Sequence, residues 1–190
     1  LWTGLDLGGT KVAGIVVKPD GSTAAQAWLP HAATDAPGAI DELVAVVDLL
    51  GDPGTVVGVS IGGLVSDTGR VTRRGAFGFD DADIAGMLGE RLGRQVLVFN
   101  DGDAGLRAAM ESHPGVSDAV LLAFGTGVGG SVMWRRRLLR GRTGFAGELG
   151  HMPVLEPLPY PCVCGGTGCL EQYASGRGLV ERARQGAIMD

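Results

Sequence analysis

The chain has 190 residues, of which 45% are hydrophobic and 19% charged, and its formal net charge is -5. This composition can bury a sizeable core, which argues against a disordered chain. With 16 basic against 21 acidic residues it lacks the positive surface that nucleic-acid binding needs, so we expect no nucleic-acid partner. No apolar stretch approaches the roughly 20 residues that cross a bilayer, and the N-terminus has no signal pattern. We therefore expect a cytoplasmic protein without a membrane partner.

The first half of the chain predicts alternating strands and helices. Residues 1–18 are typical of two strands joined by a tight turn at Gly8-Gly9, and a second turn leads into a strand over 23–29. The elements that follow are predicted as a helix over 40–50, a strand over 56–61, a helix over 84–92, a strand over 95–99 and a helix over 104–111.

The second half opens with an apolar strand over 119–124, the glycine-rich segment Gly125–Gly130 and a strand over 131–134. Arg135–Arg137 is expected to be a solvated hairpin end, and a final helix is expected from Leu170. A strand, a glycine turn with a threonine and a second strand thus occur twice in the chain. This repetition indicates two lobes, 1–115 and 116–190, with a phosphate cleft between them.

The first glycine turn is a candidate phosphate site. Backbone N–H groups of such a turn can hold phosphate oxygens, so Gly8, Gly9, Thr10 and Lys11 are candidate ATP ligands. Asp6 is placed to hold Mg²⁺ through water. The spacing does not fit the Walker pattern, and a strand rather than a helix follows, which excludes a dinucleotide fingerprint. An ordinary hairpin turn remains the alternative.

The second glycine turn supplies further N–H donors at Gly125, Thr126 and Gly127, and Thr126 adds a hydroxyl. A turn that serves only packing is the alternative here. Two such hairpins in one chain favour phosphate binding.

Asn100-Asp101 ends a predicted buried strand. Ligands of α/β sheets collect at the carboxyl ends of strands, and transfer of a phosphoryl group to an alcohol needs a base such as Asp. The residues alone favour the alternative, in which Asp101 or Asp103 caps the next helix.

A cluster of soft ligands predicts a metal site. His151, Cys162, Cys164 and Cys169 suit tetrahedral Zn²⁺, although the Cys162-x-Cys164 step is tighter than usual. Four protein ligands leave no open position, so the zinc would be structural. A disulfide framework would leave one cysteine over and would need an oxidising compartment.

Five motifs in order, DLGGTK, FND, AFGTGVGG, AGELGH and CVCGGTGCLE, resemble the ROK family of sugar kinases and sugar-responsive repressors. The resemblance covers residues 4–176. It implies an α/β fold of the actin-like, ribonuclease-H-like sugar kinase type, with two lobes, ATP between them and a homodimer. Family members continue well beyond position 190, so the resemblance also implies that the second lobe is incomplete.

The resemblance assigns roles to residues of the motifs. Asp101 would be the catalytic base, and His151 would give one ring nitrogen to zinc and the other to the sugar. Thr10 and Thr126 would lie at the phosphates. The sugar contacts that it implies are Gly63, Asn100, Asp101, Glu148, His151 and Glu171.

The implied activity is an ATP-dependent hexose kinase that uses Mg-ATP and a hexose, with glucose as the first acceptor. N-acetylmannosamine, N-acetylglucosamine and fructose are the nearest alternatives. Arg73–Phe77 replaces a segment that in many relatives carries an asparagine and a tryptophan near the sugar, and Asp103 stands where relatives often have asparagine. The alternatives to a kinase are a non-catalytic, sugar-sensing repressor core and an inactive truncated fragment.

Overall fold

The computed structural model describes residues 1–51, 54–73, 80–154 and 160–184. The chain divides into two units, Leu1–Asp101 and Gly102–Asp190. Within the described ranges no helix combines the length and the apolar character that a membrane span requires. Residues 74–77 of the segment that departs from the family lie outside the described residues.

The first unit is built on a five-stranded sheet. Its strands are β1 (Trp2–Leu7), β2 (Lys11–Val17), β3 (Thr23–Pro30), β4 (Val56–Ile61) and, after the two short strands β5 (Leu64–Val65) and β6 (Val71–Arg73), β7 (Gln95–Asn100). The strand order is β3-β2-β1-β4-β7, antiparallel from β3 to β1 and parallel from β1 to β7. The five predicted strands of this sheet are confirmed, whereas the hairpin β5–β6 was not predicted.

The described part of this unit has two helices, α1 (Ala36–Leu50) and α2 (Ile84–Leu92). The predicted bounds of α2 are confirmed, but α1 begins four residues before the predicted start. The Asp35 carboxylate accepts a hydrogen bond from the Gly38 N–H at 2.8 Å, and Pro37 lies in the first turn. A capping carboxylate and an early proline are ordinary start signals of a helix. The apolar spacing begins only at Ile40, which explains the late predicted start.

The core of the first unit lies between α1, α2 and one face of the sheet. Its fully buried members include Ile40 and Leu43 of α1 and Val57 of β4. Gly14 of β2 lets α1 approach closely, since a Cβ there would lie 2.7 Å from side-chain atoms of Leu50. This packing fixes the strands whose ends carry the candidate residues.

The second unit has a three-stranded sheet and several helices. Its elements are α3 (Asp101–Glu111, whose first residue closes the first unit), β8 (Ala119–Phe124), β9 (Val128–Trp134), β10 (Arg137–Leu138), a 3-10 helix (Leu149–His151), α4 (Leu170–Ala174) and α5 (Gly176–Arg184). The sheet order is β10-β9-β8, and its strands are antiparallel. A small core of Leu106, Met110 and Met133 joins α3 to β9.

Three boundaries in this unit differ from the prediction. Helix α3 begins at Asp101, three residues early, and β9 begins at Val128, so that the glycine turn proper comprises residues 125–127. The single final helix is split at Ser175, which is buried and accepts the Gly178 N–H on its hydroxyl at 3.0 Å. This hydroxyl starts a second helix because it satisfies a donor of the first turn.

The basic run forms a hairpin end, as predicted. Arg135 and Arg136 have positive φ angles of 49° and 59° and are exposed. The Arg135 N–H donates to Asp118 at 2.6 Å, which ties the turn between β9 and β10 to the residue before β8. The hydrogen bond to Arg135 lowers the pKa of Asp118.

Candidate active site

The carboxyl ends of three parallel strands meet at one edge of the first sheet. Leu7 of β1 lies opposite Ile61 of β4, and Ile61 lies opposite Asn100 of β7. Neighbouring strands are about 4.8 Å apart, so the first and third ends are separated by about 10 Å. The first glycine turn, Gly62-Gly63 and Asp101 therefore follow one another along this edge, as expected for ligand-binding residues of an α/β sheet.

The first glycine turn is held by backbone hydrogen bonds. The Gly8 N–H donates to the Lys11 carbonyl at 3.0 Å, and the Thr10 carbonyl accepts the His31 N–H at 3.0 Å. Thr10 and Lys11 are exposed, as is Gly9. The turn therefore presents backbone and side-chain donors to solvent on a fixed frame.

Asp6 lies beside this turn. It is half-buried on β1, and a Cβ at Gly8 would lie 3.6 Å from its Oδ2 atom. A carboxylate next to a phosphate-binding turn can hold Mg²⁺ through its water shell, because Mg²⁺ usually keeps several waters.

Asn100 and Asp101 stand at the end of β7. The Asn100 Nδ2 donates to the Gly63 carbonyl at 2.9 Å, and Gly63 has a φ of 117°, which favours glycine. The Asp101 carboxylate is exposed and lies close to Gly62, since a Cβ at Gly62 would lie 3.6 Å from the Asp101 Oδ2 atom. The structure thus brings Gly63, Asn100 and Asp101 together in the first unit.

Asp103 has a different environment from Asp101. It is buried, and its carboxylate accepts the Ser131 hydroxyl at 2.6 Å and pairs with the Arg140 Nε at 3.3 Å. These contacts tie α3 to β9 and to the segment that follows β10. Asp103 therefore has structural partners within the second unit.

The second glycine turn is held from the side of α5. The Gly176 N–H donates to the Gly125 carbonyl at 2.8 Å, and the Arg177 N–H donates to the Thr126 carbonyl at 3.2 Å. In a trans peptide the carbonyl and the next N–H point in opposite directions. The N–H groups of Thr126 and Gly127 are therefore directed away from α5.

Glu171 binds the same turn from α4. Its Oε2 accepts the Val128 N–H at 3.1 Å, and its Oε1 accepts a bond from Arg177 Nη2 at 2.6 Å. The residue is 7% exposed. A Cβ at Gly127 would lie only 2.5 Å from Oε2, so this position accepts glycine alone without rearrangement.

Glu148 precedes the 3-10 helix, and His151 is the last residue of that helix. Both residues are half-buried, and the His151 N–H donates to the Glu148 carbonyl at 3.0 Å. Gly150 packs directly on the Val128 carbonyl, where a side chain would overlap it. This close approach holds the two candidate sugar-binding residues against β9.

The four predicted metal ligands lie together. One ligand atom from each of His151, Cys162, Cys164 and Cys169 lies within 4.8 Å of the others. Within this set the Cys162 Sγ is 3.4 Å from the His151 Nδ1, and the Cys164 Sγ is 3.6 Å from the Cys169 Sγ. Two sulfurs on a tetrahedral zinc with bonds of about 2.3 Å would be about 3.8 Å apart. The donor set and its spacing therefore fit a tetrahedral ion.

The loops around this cluster are tied together by backbone bonds. The Cys162 N–H donates to the Gly166 carbonyl at 2.9 Å, and the Leu170 N–H donates to the Met152 carbonyl at 2.9 Å. Burial raises the pKa of Cys169 to about 12, and the Gly166 N–H lowers the pKa of Cys164. Since metal ligands must lose their protons, an ion bound here would displace the proton of Cys169.

Sequence reasoning missed Arg177 as a partner of Glu171. In an unbroken helix, residues six positions apart point about 120° away from each other. The break at Ser175 is what brings the two side chains together, and the apolar spacing gave no sign of it. A serine followed by Gly176 was the one available signal.

The sequence matches the family model described as ROK family over residues 2–188. It is 32% identical over 189 residues to the N-acetylmannosamine kinase of Shigella boydii serotype 18. That match covers 97% of this chain and 64% of the relative. The chain thus spans less than two thirds of the length of that curated relative.

Two solved structures extend the comparison. A ROK family glucokinase from Streptomyces griseus, in complex with glucose and AMPPNP, matches with a TM-score of 0.85 and 33% identity over 98% of this chain and 61% of its own. A ROK family transcriptional regulator, a homologue of the E. coli MLC protein, matches with a TM-score of 0.82 and 23% identity over 100% of this chain and 50% of its own. The second match shows the fold alone. The predicted actin-like, ribonuclease-H-like α/β fold is confirmed, and the chain belongs to the ROK family.

Proposed function

We propose that this chain acts as an ATP-dependent hexose kinase with Asp101 as its general base. The observation that carries the proposal is the sheet edge where the first glycine turn follows β1 and the Asp101 carboxylate follows β7, two parallel strands on either side of β4. Similarity to an N-acetylmannosamine kinase and to a glucokinase supports a sugar acceptor and an ATP donor. Glucose is the first acceptor to test and N-acetylmannosamine the second.

The proposed chemistry transfers the terminal phosphoryl group of ATP. Asp101 accepts the proton of a sugar hydroxyl as the hydroxyl oxygen bonds to the γ-phosphorus. The bond from that phosphorus to the bridging oxygen breaks, and the electron pair leaves with ADP. The exposed position of Asp101 lets its carboxylate meet an acceptor hydroxyl directly.

The other sugar contacts follow from the family motifs. Asn100, Glu148, His151 and Glu171 would hydrogen-bond the remaining hydroxyls, and the Gly63 backbone would approach the ring. The His151 Nδ1 atom faces the cysteine cluster, which leaves Nε2 on the opposite side of the imidazole for a hydroxyl. Ligation at one nitrogen fixes the tautomer at the other.

The ATP contacts are assigned to the two glycine turns. Gly8, Gly9, Thr10 and Lys11 would hold phosphate oxygens at the first turn. Gly125, Thr126 and Gly127 would form the second phosphate contact, where the anchored carbonyls direct the N–H groups of Thr126 and Gly127 away from α5, while the Gly125 N–H donates to the Gly127 carbonyl at 2.9 Å. Mg²⁺, held by Asp6 through water, would neutralise charge that develops on the phosphates.

We also propose that the ion held by His151, Cys162, Cys164 and Cys169 is a structural zinc. Sulfur and imidazole ligands in a four-ligand set favour Zn²⁺ over Mg²⁺ or Ca²⁺. Bound there, the ion would hold the loop that carries Glu148. We further propose that the protein forms a homodimer and that its lobes comprise residues 1–115 and 116–190.

A sugar-sensing protein without catalysis is the second candidate. A transcriptional regulator has the same fold, so the fold alone does not separate a sensor from a kinase. The sensor predicts sugar binding without ATP consumption, which separates it from the kinase.

The test pairs two measurements on the chain and its Asp101→Asn variant. A coupled ADP assay across a hexose panel should show activity that falls by about 10²- to 10⁴-fold in the variant, the usual contribution of a general base. Calorimetry should show that the Kd of Asp101→Asn for the sugar lies within a few-fold of the parental Kd. The exposed Asp48→Asn of α1 is the matched control and should leave both unchanged.

Sugar binding without ATP consumption by the parent would overturn the kinase and support the sensor. Full activity in Asp101→Asn would overturn the role of Asp101. Absence of both activity and sugar binding would refute both candidates for this chain and leave the inactive fragment.

A further inference from the structure

The backbone of the second glycine turn is bound at three consecutive points by one short segment of the chain. The Gly125 and Thr126 carbonyls accept N–H groups of Gly176 and Arg177, and the Val128 N–H donates to Glu171. The peptide on each side of Gly127 is therefore fixed from behind. These three bonds fix the directions of the N–H groups of Thr126, Gly127 and Val128.

Arg177 contributes to this frame in two ways. Its backbone N–H holds the Thr126 carbonyl at 3.2 Å, and its guanidinium holds the Oε1 atom of Glu171 at 2.6 Å. The other oxygen of that carboxylate holds the Val128 N–H. One arginine is thus linked to the peptides on both sides of Gly127, to the Thr126 carbonyl directly and to the Val128 N–H through Glu171.

The guanidinium keeps the carboxylate in place. The side chain of Glu171 is 10% exposed and that of Arg177 is 42% exposed. A largely buried carboxylate needs its oxygens satisfied, and without Arg177 one of them would lose a charged donor. The carboxylate could then rotate toward solvent and release the Val128 N–H.

We propose that Arg177 is a positioning residue for the phosphate-binding turn and acts through Glu171. This inference rests on the proposed function, because it assumes that the turn holds ATP phosphates. It also gives Glu171 a second task beside its proposed contact with the sugar. A carboxylate has about four acceptor positions, so two protein donors leave capacity for a hydroxyl.

The experiment compares the parent with Arg177→Ala and Arg177→Lys. Amide hydrogen exchange at Val128 should accelerate about tenfold in Arg177→Ala, the usual effect of losing one hydrogen bond to a charged group. The KM for MgATP should rise by about tenfold, whereas kcat at saturation should fall less than threefold. Arg177→Lys should recover part of both effects, since it keeps one charged donor.

Arg184→Ala is the matched control. This residue is an exposed arginine at the end of α5, so its loss should leave the Val128 amide and both kinetic constants unchanged. Bound metal should stay at the parental value in every variant, and the melting temperature of Arg177→Ala should fall by only a few degrees, which separates positioning from unfolding.

Two results separate the inference from the proposed function. An active parent whose Arg177→Ala variant keeps the parental exchange rate and KM for MgATP would refute the inference alone. Accelerated exchange at Val128 in a chain without kinase activity would support the coupling and refute the kinase.

Discussion

The Asn100 side chain donates a hydrogen bond to the Gly63 carbonyl at 2.9 Å. This bond joins the ends of β7 and β4, two neighbouring strands that carry candidate sugar-binding residues. Gly63 has a positive φ of 117°, so its peptide needs support in this orientation. The amide of Asn100 supplies that support one residue before the proposed base.

Replacing Asn100 by Asp should therefore weaken sugar binding. The variant has no Nδ2 donor and places a carboxylate oxygen against the Gly63 carbonyl. We expect the Kd for the accepted sugar to rise by about 10-fold or more, the effect of one lost hydrogen bond together with repulsion. Titration calorimetry measures the change. An unchanged Kd would show that the Gly63 peptide keeps its orientation without this bond.

Gly127→Ala should impair ATP binding far more than an ordinary loop substitution. The new Cβ would lie 2.5 Å from the Oε2 atom of Glu171 and would displace the carboxylate that holds the Val128 N–H. We expect the KM for MgATP to rise by at least 10-fold. Gly115→Ala is the control, because a Cβ there meets nothing within 4 Å. Equal KM values for MgATP in the two variants would contradict the proposed clash between a Cβ at Gly127 and the Glu171 carboxylate.

Cys169→Ser should remove the bound metal. Cys169 is 2% exposed and belongs to the four-ligand cluster. We expect about one zinc per chain in the parent and almost none in the variant, measured by elemental analysis, together with a lower melting temperature. Val163→Ala, an exposed residue between two of the ligands, should keep the metal. A parent without metal would refute the zinc proposal.

Glu42→Gln should destabilise the chain at neutral pH but not in acid. Burial of the Glu42 carboxylate opposes its ionisation, and bonds from His31 at 2.5 Å and from the N–H groups of Ala32 and Ala33 more than offset this, so the pKa of Glu42 is lowered. A lowered pKa stabilises the folded state above the ordinary value of about 4.3 and loses that effect as the pH falls through the folded value.

We expect a loss of about 1–2 kcal/mol at pH 7 for this variant, measured by urea unfolding. The difference from the parent should shrink as the pH falls below about 4. Glu90→Gln, at an exposed position of α2, serves as the control and should show little effect at either pH. A difference that grows in acid would contradict the assigned direction of the shift.

Much of the first unit could be predicted because its signals are local. The strand over 56–61 and the helix over 84–92 have the predicted bounds, since apolar runs and flanking glycines mark them. The start of α1 was missed because Asp35 begins the helix through a side-chain bond rather than through apolar periodicity.

Only part of the candidate site could be predicted from the sequence. The motifs named the metal ligands, and the structure brings those four side chains together. The pair of Arg177 and Glu171 could not be predicted, because it depends on the direction that the chain takes after Ser175. Contacts that rely on such a bend carry no periodic signal.

The sheet registers also bear on the order in which the molecule folds. Leu7 pairs with Val12 and Phe124 pairs with Val128, so each glycine turn joins two strands whose paired residues are close in the sequence. The pairing of Thr3 with Val57, in contrast, requires the closure of a long loop. Hairpins form within microseconds, and distant strand pairs form later. We therefore expect both glycine turns to form early, before β7 pairs with β4 and brings Asp101 to the edge of the sheet.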